Sequence, residues 1–178
     1  MGSEMCIRDS VYTGNGKGKT TAALGLAFRA WGQGLRVLII QFMKKSRDFG
    51  EWKAISKYLK EGLEIIQFGT KEFIQKEHLK EIDYQEASHG LEYARNAAEE
   101  RRYGLIIMDE INCILNYGLI PVSLFHGFIQ SFPTDTELVL TGRNCPAEII
   151  ERADYVTEMK EIKHPFQKGI KARRGIEY

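Results

Sequence analysis

The stretch Thr13-Gly-Asn-Gly-Lys-Gly-Lys-Thr-Thr21 constrains this chain more than any other. Glycines at 14, 16 and 18 let successive backbone N–H groups converge, and Lys19 opens an apolar helical pattern. A helix N-terminus behind such a turn offers an anion both backbone donors and partial positive charge. In that setting Lys19 neutralises phosphate oxygens, the Thr20 hydroxyl is placed to ligate Mg2+, and Thr21 adds a second phosphate contact. The spacing departs from the usual G-x-x-x-x-G-K-[ST] pattern, because Thr13 stands five residues before Gly18 and the nearest glycines are Gly14 and Gly16. The loop points to a nucleoside triphosphate and leaves open which end of it reacts.

Downstream, short apolar runs alternate with helical patterns, as in parallel α/β proteins. Helices are expected over 19–31, 51–61, 78–102, 122–131 and 146–153, and strands over 37–42, 63–68, 105–108, 137–140 and 155–162. The first helix is apolar on nearly every face (Ala22, Ala23, Leu24, Leu26, Ala27, Phe28) and is expected to be buried. A length of 178 residues favours one domain. A strand should precede the loop, yet Val11-Tyr12 is too short to be one, and Arg8-Asp9-Ser10 interrupt the apolar run Met5-Cys6-Ile7. The domain is therefore taken to span 11–178, with residues 1–10 irregular or foreign to it. A genomic locus encoding those ten residues intact would contradict that reading. The tail from Lys163, with four basic residues after Gln167, has no clear period and is expected to cover a site or form an edge.

A formal net charge of +1 gives no global field toward nucleic acid or an acidic membrane. No apolar run approaches the ~20 residues that span a bilayer. Cys6, Cys113 and Cys145 lack C-x-x-C spacing, which argues against a zinc site or a disulfide framework and for a reducing, cytoplasmic setting. His78, His89 and His126 have no partner at ligand spacing and read as surface or packing residues.

Two further motifs fall at the carboxyl ends of expected strands, where open α/β sheets bind ligands. Leu105-Ile-Ile-Met108 runs into Asp109-Glu110, a Walker B arrangement that brings a carboxylate to the metal's other side. Adjacent strand residues face opposite ways, so one of Asp109 and Glu110 is expected to ligate directly and the other to orient water or backbone. Thr141-Gly142-Arg143 places a planar guanidinium where it could clamp phosphate. These parts describe a Mg-triphosphate site and do not give the reaction. An ATPase or kinase acting at the γ-phosphate with Glu110 as base, and a non-catalytic nucleotide-dependent binding protein, both remain open.

The combination G-N-G-K-G-K-T-T-A-A-L-G, L-I-I-M-D-E, L-T-G-R-N-C-P, A-D-Y-V-T-E-M and K-H-P-F…G-I-K-A…G-I-E-Y closely resembles the ATP:corrinoid adenosyltransferases of the CobA/BtuR type, from Val11 to Tyr178. The resemblance implies a three-layer P-loop NTPase (RecA-like) α/β fold with a mostly parallel central sheet. It implies transfer of the 5′-deoxyadenosyl group of Mg-ATP to the cobalt of a reduced corrinoid, cob(I)alamin or cob(I)yrinic acid a,c-diamide, with release of triphosphate. Gly14, Asn15, Gly16, Lys17, Gly18, Lys19, Thr20 and Thr21 match its phosphate loop, with Thr20, Glu110 and Asp109 at the metal. Arg29 and Arg143 match further positions, and His164 lies in the K-H-P-F segment. Lys19, Thr20 and Glu110 are the residues expected to carry catalysis. The resemblance also implies a homodimer and a flavoprotein reductant, since this chain has no flavin motif. One departure stands out: enterobacterial members carry Phe-x-Trp before the long helix, where aromatic rings displace the corrinoid's lower ligand. Phe73 aligns with that phenylalanine, and a wedge on the cobalt face and a place in the core both remain open for it, but Gln75 replaces the tryptophan.

Overall fold

The computed structural model describes residues 8–59, 61–72, 74–165 and 169–176. Six strands, β1 (Asp9–Thr13), β2 (Val37–Phe42), β3 (Leu63–Phe68), β4 (Leu105–Asp109), β5 (Glu137–Thr141) and β6 (Tyr155–Glu158), form one sheet in the order β3-β2-β4-β5-β1-β6. Every pairing is parallel. The helices are α1 (Lys19–Gly32), α2 (Gly50–Tyr58), α3 (Glu81–Glu99), α4 (Ile111–Tyr117), α5 (Val122–Ser131) and α6 (Ala147–Arg152).

The continuous apolar runs of β2 and β4 are buried on both sides, and strand alternation divides them between two cores. Val37, Ile39, Leu105 and Ile107 pack with Ala23 and Ala27 of α1 and Ile55 of α2. Leu38, Ile40, Ile106 and Met108 pack on the other side with Ala87, Leu91 and Ala94 of α3, Ile111 and Ile114 of α4, and Phe125 and Phe128 of α5. Helix, sheet and helix make the three layers of a RecA-like α/β fold, as the sequence led us to expect. No helix among the described residues is long and apolar enough to cross a membrane.

Several elements depart from the sequence reading. The first strand has five residues, because Asp9 and Ser10, placed outside the domain above, extend Val11-Tyr12. A polar start is tolerated because Arg8 pairs with Asp9 at 2.6 Å, while the Arg8 and Asp9 backbone N–H groups donate to the Asp154 carboxylate. Residues 1–7 lie outside the described residues. The first helix is not buried all round: it hides Ala23, Ala27 and Ala30, whereas Phe28 is 61% exposed. The long helix starts at Glu81, after a separate 3-10 turn at Lys76–His78. β6 stops at Glu158 rather than Ile162, since the next residue turns to meet the loop after β1. α4 was not anticipated at all.

Candidate active site

All strands being parallel, the carboxyl ends of β1, β2, β4 and β5 share one edge, which collects the residues of the three motifs and one more segment. Thr13, the residue in place of the usual first glycine, closes β1, and the turn begins with Gly14 in the left-handed region at φ 92°. The loop is packed from behind by the segment that follows β6. Met159 N–H donates to Thr13 O at 2.8 Å, and Gly16 N–H donates to Met159 O at 2.6 Å. A Cβ at Gly14 would stand 2.5 Å from Met159 O, and one at Gly16 would stand 2.7 Å from the same atom. These two glycines are therefore required by the approach of the tail backbone. The Gly16 N–H is committed to that contact.

Lys19 is buried and folds back on its own loop, its ammonium donating to Gly14 O at 2.7 Å and Gly16 O at 2.9 Å. Burial lowers its pKa, and the Glu110 carboxylate acts in the opposite sense while Arg143 adds to the lowering. The charges of Glu110 and Arg143 are therefore both felt at the Lys19 ammonium. Asn15, Lys17 and Thr21 are exposed around it.

Asp109 ends β4 with 1% exposure and is the hub of the edge. Thr20 Oγ1 donates to its Oδ1 at 2.8 Å and Thr141 Oγ1 to the same oxygen at 2.7 Å. Gln41 Nε2 donates to Oδ2 at 3.2 Å, and Lys44 Nζ does so at 2.7 Å. Burial opposes the Asp109 charge, but Lys44 and the Thr141 and Thr20 hydroxyls outweigh it and lower the carboxyl pKa. Lys44 is held protonated: burial works against its charge and Asp109 more than compensates. Gln41 also donates to Glu51 Oε1 and accepts from Gln67 Nε2, which fixes its amide in the register that pairs Gln41 with Asp109.

Glu110 is no longer strand. It adopts a left-handed conformation at φ 67° as the N-cap of α4, and its N–H donates to Thr141 Oγ1 at 3.0 Å. Its Oε2 accepts the Cys113 thiol at 3.0 Å, while Cys113 Sγ accepts the Arg143 N–H at 3.3 Å. Burial and the Glu110 charge push the Cys113 thiol up to about 12, so the sulfur stays protonated and donating.

The structure thus brings Lys19, Thr20, Asp109, Glu110 and Arg143 together. Arg29 stands exposed in the last turn of α1, ten residues beyond Lys19 and so roughly 15 Å further along the helix axis. Phe73 lies outside the described residues, as does Phe166 of the K-H-P-F segment. Gln41, Lys44, Cys113 and Met159 were missed by sequence reasoning. A glutamine and a lysine around the end of an otherwise apolar strand were the only signal for the first two.

Fold and site together define a P-loop NTPase-type protein with a shortened loop and a Walker B carboxylate. The family ATP:corrinoid adenosyltransferase BtuR/CobO/CobP matches residues 8–178. A corrinoid adenosyltransferase of Sinorhizobium sp is 37% identical over 169 residues, covering 94% of this chain and 78% of the relative. The corrinoid adenosyltransferase of Escherichia coli K12 is 33% identical over 168 residues, covering 94% and 84%. Among solved structures, a KaiC-like protein PH0186 from Pyrococcus horikoshii OT3 superposes with a TM-score of 0.59 at 18% identity, covering 88% of this chain and 74% of that one, a likeness of fold alone. The chain belongs to the ATP:corrinoid adenosyltransferase family and is an enzyme of ATP-dependent corrinoid adenosylation.

Proposed function

We propose that the reaction joins the 5′-deoxyadenosyl group of ATP to the cobalt of a reduced corrinoid, either cob(I)alamin or cob(I)yrinic acid a,c-diamide, and releases triphosphate, in adenosylcobalamin biosynthesis or salvage. The electrophile is C5′ of the ribose: the nucleophilic corrinoid forms the Co–C bond as the C5′–O bond to the triphosphate breaks. The observation that carries this reading is the loop itself. Its glycines are displaced from the usual G-x-x-x-x-G-K-[ST] spacing, and the Gly16 N–H is taken by Met159 O. A triphosphate seated in reverse, with C5′ turned toward the corrinoid, is compatible with that geometry.

The protein need supply no base, because the nucleophile is the reduced cobalt. Its residues position, exclude water and neutralise the leaving group. Lys19 exchanges the carbonyls of Gly14 and Gly16 for phosphate oxygens, and Arg143 adds a second cation at the same edge. Cys113 orients the Glu110 carboxylate through its thiol proton.

Mg2+ suits the donor set, which is hard oxygen throughout. Thr20 Oγ1 gives its proton to Asp109 and keeps lone pairs for a cation, and Glu110 supplies a carboxylate. Among the described residues no cluster of three or more His, Cys, Asp or Glu forms an all-protein cage. Mg2+ is ordinarily held by one or two protein oxygens together with phosphates and water. When bound, it would draw off charge developing on the triphosphate. In this reading Thr20, Glu110 and Asp109 hold the cation, and Asp109 also orients Thr20. The working form is a cytoplasmic homodimer that receives electrons from a flavoprotein reductant.

Anaerobic incubation with Mg-ATP and chemically reduced cob(I)alamin, following the corrin spectrum and the phosphate products together, tests the reaction. Adenosylcobalamin with equimolar triphosphate is the expected outcome. ADP and phosphate with no change at cobalt would contradict it.

A further inference from the structure

Asp109 is saturated. A carboxylate offers about four lone-pair positions, and Thr20, Thr141, Gln41 and Lys44 donate to its two oxygens. Three of these donors are fixed. Thr20 sits in the first turn of α1, Thr141 ends β5, and Gln41 is wholly buried between Glu51 and Gln67. Lys44 differs. Its side chain is 17% exposed on a flexible stem, and among the described residues its ammonium, with three protons to give, makes a hydrogen bond to Asp109 alone.

The backbone takes trouble to put it there. Met43, next after β2, is left-handed at φ 57°, an uncommon state for a residue with a side chain. Gly69, just past β3, has φ 151°, and a Cβ on it would stand 2.7 Å from Lys44 N. The turn brings Lys44 to the edge that holds Asp109, and the Glu110 charge acts on it as well.

We propose that Lys44 is a triphosphate-binding residue held on Asp109 until the nucleotide arrives. Its ammonium then moves to the phosphate oxygens, freeing one lone-pair position on Asp109 Oδ2, beside the Gln41 amide, for the Mg2+ that accompanies ATP. The inference deepens the proposed reaction and rests on the triphosphate lying along this edge. An ammonium and a divalent cation compete for the same carboxylate and repel each other, so the arrival of one favours the departure of the other. In the absence of nucleotide the same ammonium keeps a carboxylate at 1% exposure from being buried without a counterion.

The test is calorimetric binding of inorganic tripolyphosphate to the full chain, with a chelator present and then with Mg2+, for wild type, Lys44→Met, Asp109→Asn and the double variant. Lys44→Met leaves a buried carboxylate short of its cation, so thermal melting must first establish that it folds. Asp109→Asn leaves only a part-exposed lysine unpaired and carries the test alone if it does not. Without metal, Lys44→Met is expected to weaken tripolyphosphate binding by about 10- to 100-fold, the loss of one charged hydrogen bond. Asp109→Asn is expected to tighten it, and the tightening should disappear in the K44M background. Unchanged affinity in Lys44→Met, an equal gain from Asp109→Asn with and without Lys44, or no gain from Asp109→Asn at all would overturn the proposal and leave Lys44 a counterion only. The readout is ligand binding, so ADP as the reaction product would count against the proposed chemistry without touching the role of Lys44.

Discussion

Asp109 keeps a charge in the protein interior only because its neighbours favour the ionised form, and this has a consequence in acid. A carboxylate whose folded pKa is depressed contributes stability that is present above the unfolded value, about 3.9 for aspartate, and is lost as pH falls through the folded value. Melting temperature should therefore fall as pH is taken below about 4, and Asp109→Asn should flatten that fall; parallel profiles would contradict the assignment. Cysteine reactivity tests the same edge from another side. Cys113 and Cys145 are both pushed up to about 12, so peptide mapping after iodoacetamide at pH 8 should find both unmodified. Gly16→Ala would drive a Cβ into the Met159 carbonyl and should destabilise by about 1–3 kcal/mol, read as a lower Tm. At this scale Lys19, Thr20, Asp109, Glu110 and Arg143 were legible, because residue type and local spacing carry their chemistry. Lys44, Gln41, Cys113 and Met159 were not, because each matters through a contact made only when distant segments meet.

Elements were legible where periodicity had length to work with and hidden where it did not. The central strands read as unbroken apolar runs, and β2 was placed to the residue. α4 has seven residues, too few for a helical period to show, and it follows a strand with only Glu110 between them. β6 was drawn too long because nothing local marks Met159 as the point where the chain leaves the sheet for the loop. The all-apolar face pattern of α1 misled, since alanines fill its contact with the sheet and Phe28 is left outside. Phe28→Lys should accordingly change stability by no more than about 0.5 kcal/mol in chemical denaturation, whereas a buried phenylalanine would lose several. Gly90 makes the opposite case. It sits mid-α3, where alanine would ordinarily stabilise by about 1 kcal/mol, but an added Cβ would meet the buried Phe42 ring at 2.5 Å. Gly90→Ala should lower the Tm despite its better helix propensity.

At the scale of the whole molecule, a parallel sheet delivers four strand ends to one edge, and the segment after β6 closes the loop from behind. Nothing in that architecture decides between chemistry at the γ-phosphate and chemistry at C5′; the displaced glycines and the family membership point to C5′. The measurement that separates the two most directly replaces ATP with its β,γ-imido analogue in the anaerobic reaction with cob(I)alamin. Attack at C5′ leaves the β–γ linkage intact, so adenosylcobalamin should form and imidotriphosphate should be released. Failure of the analogue, under conditions where ATP is turned over to ADP and phosphate, would contradict the account.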